Sequence, residues 1–171
     1  MPCRARGAPC AHDGPMASEI ERKFLVSEAP EPPGLGPGVR LRQGYLAVDG
    51  AVEVRLRLTD GAATLTVKAG TGLHRTEVEV PLDPAEADEL WPHTEARRVE
   101  KVRHRVPLSG PLVAEVDLYE GALAGLCTVE VELPSEAAAI SFTPPSWFGE
   151  ELTGQKAWSN AALALDGRPR P

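Results

Sequence analysis

Residues 19–26 read Glu19-Ile20-Glu21-Arg22-Lys23-Phe24-Leu25-Val26. In a β-strand, successive side chains alternate, so Glu19, Glu21 and Lys23 share one face while Ile20, Arg22 and Phe24 share the other. Carboxylates two residues apart on a strand are about 7 Å from each other and repel unless a cation lies between them; a hard divalent ion with oxygen ligands is the usual answer. A solvated antiparallel strand of mixed charge shows the same alternation. The octet alone leaves both open, and the rest of the chain has to decide.

The pattern recurs. Val39 to Val48 alternates Arg40 and Arg42 against Val39, Leu41, Gln43 and Tyr45. Ala51 to Leu58 sets Glu53, Arg55 and Arg57 against Val52, Val54, Leu56 and Leu58. Asp49-Gly50 and Asp60-Gly61 are hairpin signals, the second leading into Ala63 to Lys68. His74 to Val80 groups Arg75, Glu77 and Glu79; Val99 to Val106 groups Lys101, Arg103 and Arg105. Leu112 to Tyr119 groups Glu115, Asp117 and Tyr119, and Leu126 to Leu133 groups Glu130 and Glu132.

Helices are few. Asp83-Pro84-Ala85-Glu86 starts one, with Asp as N-cap and Pro at the first helical position, ending near Trp91-Pro92. A second runs from Ser135-Glu136 to about Phe142, stopped by Pro144-Pro145, and a last one covers Gln155 to Leu165. Glu28 to Gly38 is a Pro- and Gly-rich loop, and Ala69-Gly70-Thr71-Gly72 lacks the P-loop spacing and reads as a plain turn.

The 171 residues fit one domain, predicted as 16–168, after a disordered extension over 1–15; Met16 looks like a second translation start. An apolar content of 42% and a charged content of 25% are those of a globular protein. Three cysteines without a C-x-x-C pair give neither a disulfide framework nor a thiolate zinc site, and the four histidines are scattered. With no long apolar run and no secretory signal, the expectation is a cytoplasmic protein without membrane contact. A net charge of −7 argues against a broad basic surface for duplex nucleic acid.

Strands at hairpin rhythm suggest a mainly β (α+β) fold with a closed or nearly closed antiparallel sheet. Exposed ion pairs contribute only about 0–1 kcal/mol each, so stability alone gives little reason to concentrate charge in i, i+2 pairs. The pattern favours a barrel lumen lined by charge, with apolar residues facing outward under helices. Arginine forks and lysines suit a polyanion such as linear phosphate, and clustered glutamates suit Mg²⁺ or Mn²⁺ bridging its oxygens. Such a lumen must be hydrated or occupied.

Glu19-x-Glu21-x-Lys23 resembles the ExExK signature of the CYTH superfamily, the triphosphate tunnel metalloenzymes. The resemblance runs from Ser18 to about Leu165 and includes Arg42-Gln43-Gly44-Tyr45-Leu46, Arg55-Leu56-Arg57, Thr66-Val67-Lys68, Arg75-Thr76-Glu77-Val78-Glu79, Val99-Glu100-Lys101-Val102-Arg103, Glu115-Val116-Asp117 and Val129-Glu130-Val131-Glu132. The tail, Trp147 to Thr153 and Trp158 to Ala164, looks like the ending of the bacterial, inorganic triphosphatase-like branch. That ending more often has Val at the position of Leu152 and Tyr at that of Trp158.

The resemblance implies a closed antiparallel eight-stranded β-barrel tunnel with a few flanking helices and a C-terminal helix. It implies that Glu19, Glu21, Glu130 and Glu132 hold metal. Lys23, Arg55, Arg57, Lys68, Lys101 and Arg103 would hold phosphates, joined by Arg42, Arg75 and Arg105. Glu77, Glu79, Glu115 and Asp117 would add metal, water or counter-charge positions, and Lys23, Glu19 and Glu21 would be the catalytic set. The implied activity is Mg²⁺- or Mn²⁺-dependent hydrolysis of tripolyphosphate to diphosphate and phosphate. Class IV-type adenylate cyclase, thiamine triphosphatase and a noncatalytic polyphosphate- or nucleotide-binding module are the alternatives. Some members dimerise, so a homodimer is a further expectation, although no interface is visible in the sequence.

Overall fold

The computed structural model describes residues 20–26, 34–70 and 76–170. Its strands are β1 (Ile20–Leu25), β2 (Gly38–Asp49), β3 (Val52–Thr59), β4 (Ala62–Ala69), β5 (Thr76–Leu82), β6 (Arg98–Pro107), β7 (Val113–Tyr119) and β8 (Cys127–Leu133). The helices are α1 (Pro84–Leu90), α2 (Glu136–Ser141) and α3 (Asn160–Asp166). The expected extension over 1–15 lies outside the described residues, as do Glu19 and Arg75. No helix among the described residues is long and apolar enough to cross a membrane.

One eight-stranded antiparallel sheet has the order β1-β8-β7-β6-β2-β3-β4-β5. Residues directly paired across a ladder share a face. Lys23, Glu130, Glu115 and Arg105 therefore form one row across β1, β8, β7 and β6. Tyr45, Arg55, Thr66 and Glu79 form another across β2 to β5. These rows put charge on one face, as the alternation predicts, while Arg22, Arg40, Arg42 and Glu100 lie on the other.

The opposite face holds the packing. Phe24, Ala114, Val116, Val129 and Val131 are buried with Phe148, and α2 contributes Ala138 and Ala139 to their cover. Leu56 and Ala63 are buried against Ala87 of α1. That helix starts where the sequence says: Asp83 accepts from the Ala85 N–H, and Glu86 reaches back to the Asp83 N–H. The last helix is shorter than predicted. Ser159, in extended backbone, caps it by accepting from the Ala162 N–H, and a 3₁₀ turn over Lys156–Trp158 precedes it. α3 packs its Ala161, Leu163 and Ala164 against Tyr45, Val99 and Tyr119 at one end of the charged face.

The closed barrel expected from the sequence is corrected to an open sheet that ends at β1 and β5. The reason lies in β1, whose outer hydrogen-bonding edge is taken by the segment 149–153. The Leu25 N–H donates to the Glu150 carbonyl and the Gly149 N–H to the Leu25 carbonyl, both at 2.8 Å. The Leu152 N–H donates to the Lys23 carbonyl at 2.8 Å, and the Lys23 N–H to Thr153 Oγ1 at 3.1 Å. At the other margin, Pro81 removes one N–H from β5.

Candidate phosphate- and metal-binding site

The charged face gathers its side chains into two clusters. In the first, Lys101 Nζ and Asp117 Oδ2 are 2.5 Å apart. Arg103 grips the same carboxylate through Nε at 2.7 Å and Nη2 at 2.6 Å, while Nη2 also reaches Glu130 Oε2 at 3.0 Å. The guanidinium also bonds Glu115. Lys23 Nζ lies 3.0 Å from Glu130 Oε1. Arg105, 70% exposed, touches Glu115 at 3.6 Å from the rim. Asn160 of α3 accepts from Tyr119 Oη at 3.0 Å and from Lys101 Nζ at 3.5 Å.

Burial and charge oppose each other here. Burial disfavours the charged form of Glu130, but Lys23, Lys101 and Arg103 outweigh it and hold its pKa down to about 2. Burial also works against the charge of Arg103; the Asp117 hydrogen bonds and the surrounding carboxylates win and raise its pKa. For Lys101 burial is the larger effect, and its pKa is lowered despite Asp117.

In the second cluster, Glu77 receives Arg55 Nη2 at 3.3 Å and Lys68 Nζ at 2.5 Å. Thr66 donates to Glu79 at 3.1 Å. Arg55 Nε is buried with no hydrogen-bond partner among the described residues. Arg57 lies on the same face, across the ladder from Gln43. Burial lowers its pKa first, and the charges of Arg55 and Arg103 lower it further. Among the described residues it has no carboxylate within ion-pair distance, only the Gln43 amide oxygen at 3.4 Å.

Two expected ligands are not brought into these clusters. Arg42 pairs with Leu58 and Glu100 on the opposite face, and its guanidinium stacks on Trp91 at 5.1 Å. It is corrected from a phosphate contact to a packing residue. Glu132, which makes no ion pair among the described residues, lies directly across from Glu21 on β1, and both are exposed. Gln43, Tyr45 and Thr66 are among the residues of the face absent from the sequence-predicted set. Their signal was register, since Gln43 and Tyr45 stand opposite Arg57 and Arg55, and Thr66 stands opposite Glu79.

Glu21, Glu132, Glu130 and Glu115 occupy adjoining positions of β1, β8 and β7, the Glu21/Glu132 and Glu130/Glu115 pairs each directly opposite. Like charges so placed repel, and all-oxygen donors suit a hard cation. Among the described residues no three acidic, His or Cys groups are already drawn into one metal cluster. A groove of about 470 Å³ lined by Arg98, Glu100, Glu120 and Leu163 lies elsewhere and contains none of the expected ligands.

The class these features define is an antiparallel sheet protein with a face lined by charge of both signs, on which the Arg57 guanidinium has no carboxylate partner among the described residues. The CYTH domain model matches residues 17–151, and the chain belongs to the CYTH family. It is 46% identical over 149 residues to the inorganic triphosphatase of Nitrosomonas europaea, covering 86% of this chain and 97% of the relative. To the inorganic triphosphatase of Acetivibrio thermocellus it is 38% identical over 150 residues, covering 86% and 94%. The crystal structure of the inorganic triphosphatase NE1496 superposes with a TM-score of 0.71 at 43% identity, covering 91% of this chain and 100% of that one.

Proposed function

We propose that this protein is an inorganic triphosphatase that hydrolyses tripolyphosphate to diphosphate and phosphate. The observation that carries this is Arg57. It is a half-buried guanidinium beside the cations Arg55 and Arg103, with no carboxylate partner among the described residues. An arrangement of that kind lowers its own charge repulsion by taking up an anion. The identity to two inorganic triphosphatases over nearly their full lengths supports the choice of substrate.

Phosphoryl transfer needs positioning and charge neutralisation more than covalent help from the protein. Arg57, Arg55 and Lys68 would hold one part of the triphosphate and Lys101, Arg103 and Lys23 another, with Arg105 at the rim. Each cation but Arg57 already carries a carboxylate, so a phosphate that binds competes with Glu77, Asp117 or Glu130 for its donors. Carboxylates released in that exchange become free to accept from an attacking water. A Mg²⁺ or Mn²⁺ ion held by Glu21, Glu132 and Glu130, with Glu19, would supply Lewis-acid neutralisation of the phosphoryl oxygens. Lys23, paired with Glu130 on the strand that carries Glu21, is the group we assign to the scissile phosphate.

The test is phosphate release from tripolyphosphate, ATP and thiamine triphosphate, each with Mg²⁺, Mn²⁺ or EDTA, with the ATP reaction also assayed for cyclic AMP. Metal-dependent release from tripolyphosphate, in large excess over the other two, is the expected result. Cyclic AMP as the main product would make the protein a cyclase, and binding without turnover would make it a binding module.

A further inference from the structure

Among the described residues, the cations of this face that the site reading names are matched by carboxylates with one exception. Lys23 is matched by Glu130, Arg55 and Lys68 by Glu77, Lys101 and Arg103 by Asp117, and Arg105 by Glu115. At the corresponding place beside Arg57 stands a neutral amide, Gln43, only 2% exposed. Its Oε1 accepts from Arg57 Nε and Nη2, both at 3.4 Å, and its Nε2 donates to Tyr45 Oη at 2.7 Å. A guanidinium offers donors only, so the amide oxygen has to face Arg57, and the Tyr45 hydroxyl takes up the amide nitrogen left on the other side. The amide is therefore held in one orientation at no net charge.

A glutamate has nearly the same shape as glutamine and would close a charged fork on Arg57, as Asp117 does on Arg103. We infer that Gln43 is a positioning and specificity residue of the anion site, aiming the Arg57 fork while leaving its charge available to a phosphoryl group. This role rests on the triphosphatase reading above and adds a residue to it. Tyr45 belongs to the same unit, because its hydroxyl holds the Gln43 amide and its buried ring lies directly across the β2–β3 ladder from Arg55.

The experiment compares wild type, Gln43→Glu, Gln43→Met, Arg57→Gln and the Gln43→Met/Arg57→Gln double variant. Tripolyphosphate binding is measured by calorimetry in EDTA, and KM and kcat are measured with Mg²⁺. Gln43→Glu is expected to weaken binding on the order of tenfold, the size of one charge-assisted hydrogen bond, with the change appearing chiefly in KM. The double variant is expected to bind no more weakly than Arg57→Gln alone, since the Gln43 amide acts through the Arg57 fork. Gln43→Met, which leaves the charge but not the aim, should lose less than Gln43→Glu and serves if the glutamate variant does not fold. Additive losses in the double variant, or Gln43→Glu binding within about twofold of wild type, would overturn the role. Binding by wild type without hydrolysis would remove the triphosphatase reading, while the binding ratios would still decide the role of Gln43. Absence of wild-type binding would remove both.

Discussion

Lys101 and Asp117 are held 2.5 Å apart with side chains 3% and 0% exposed, and Arg103 grips the same carboxylate with two nitrogens. One buried carboxylate thus answers two cations from neighbouring positions of β6. Removing it leaves both without their main counter-charge in a poorly solvated place, which costs more than the intact pair contributes. Asp117→Asn is expected to lower stability by about 3–5 kcal/mol, read from urea denaturation at neutral pH. Glu115→Gln, at the more exposed end of the network, should cost about 1 kcal/mol or less.

Glu21 and Glu132 face each other across β1 and β8 and are both exposed. Neutralising Glu132, which makes no ion pair among the described residues, relieves like-charge repulsion, so folding stability should stay within about 1 kcal/mol of wild type. If the pair helps to hold the divalent ion, Glu21→Gln and Glu132→Gln should each cut metal-dependent phosphate release by about a hundredfold. Titrating Mn²⁺ against activity provides the check: a variant with full activity at the same metal concentration would take that residue out of the metal set.

The pKa of Glu130 is held down to about 2, against an ordinary value near 4.3 in an unfolded chain. A depressed carboxyl contributes stability that is fully present above the unfolded value and disappears as pH falls through the folded one, because the unfolded state takes up the proton first. Stability should therefore be level from about pH 7 to 5 and decline between about pH 4 and 2, by a few kcal/mol. Urea midpoints across that range give the slope, and in Glu130→Gln the decline should be shallower.

A Cβ added at Gly44 would meet Thr94 Oγ1 at 2.4 Å and Thr94 Cβ at 2.5 Å. Thr94 cannot retreat easily, since its hydroxyl donates to the Trp91 carbonyl at 2.7 Å and accepts from Arg98 Nε at 2.8 Å. Gly44→Ala is expected to destabilise by about 1–3 kcal/mol. Because the residue belongs to the packed face, the kcat of the folded fraction should be unchanged. Thermal denaturation alongside active-site titration separates the two.

Most of the strands were legible because a polar or charged face alternates with an apolar one, which local sequence displays directly. β2 is the instructive failure. Both of its faces mix polar and apolar residues, so alternation separates Arg42 from Gln43 without saying which of them faces the site. Only the ladder answers, by pairing Gln43 with Arg57 and Arg42 with Leu58. The open margin of the sheet was equally out of reach. It depends on backbone hydrogen bonds from the irregular segment 149–153 to β1, and such groups carry no side-chain signature. The acidic and basic rows were visible, whereas the pairing of particular cations with particular carboxylates needed the register.

The hydrogen bonds that finish β1 also set a timetable. Glu21, the second glutamate of the ExExK motif, enters the sheet beside Glu132, and the far edge of its strand waits for Glu150 and Leu152. On a ribosome, a nascent chain halted before β8 lacks both the strand and the segment that border β1 in the fold. Pairings so distant in sequence are slow to close. The Glu21/Glu132 part of the charged face therefore comes into being only once β8 and the segment 149–153 have been made.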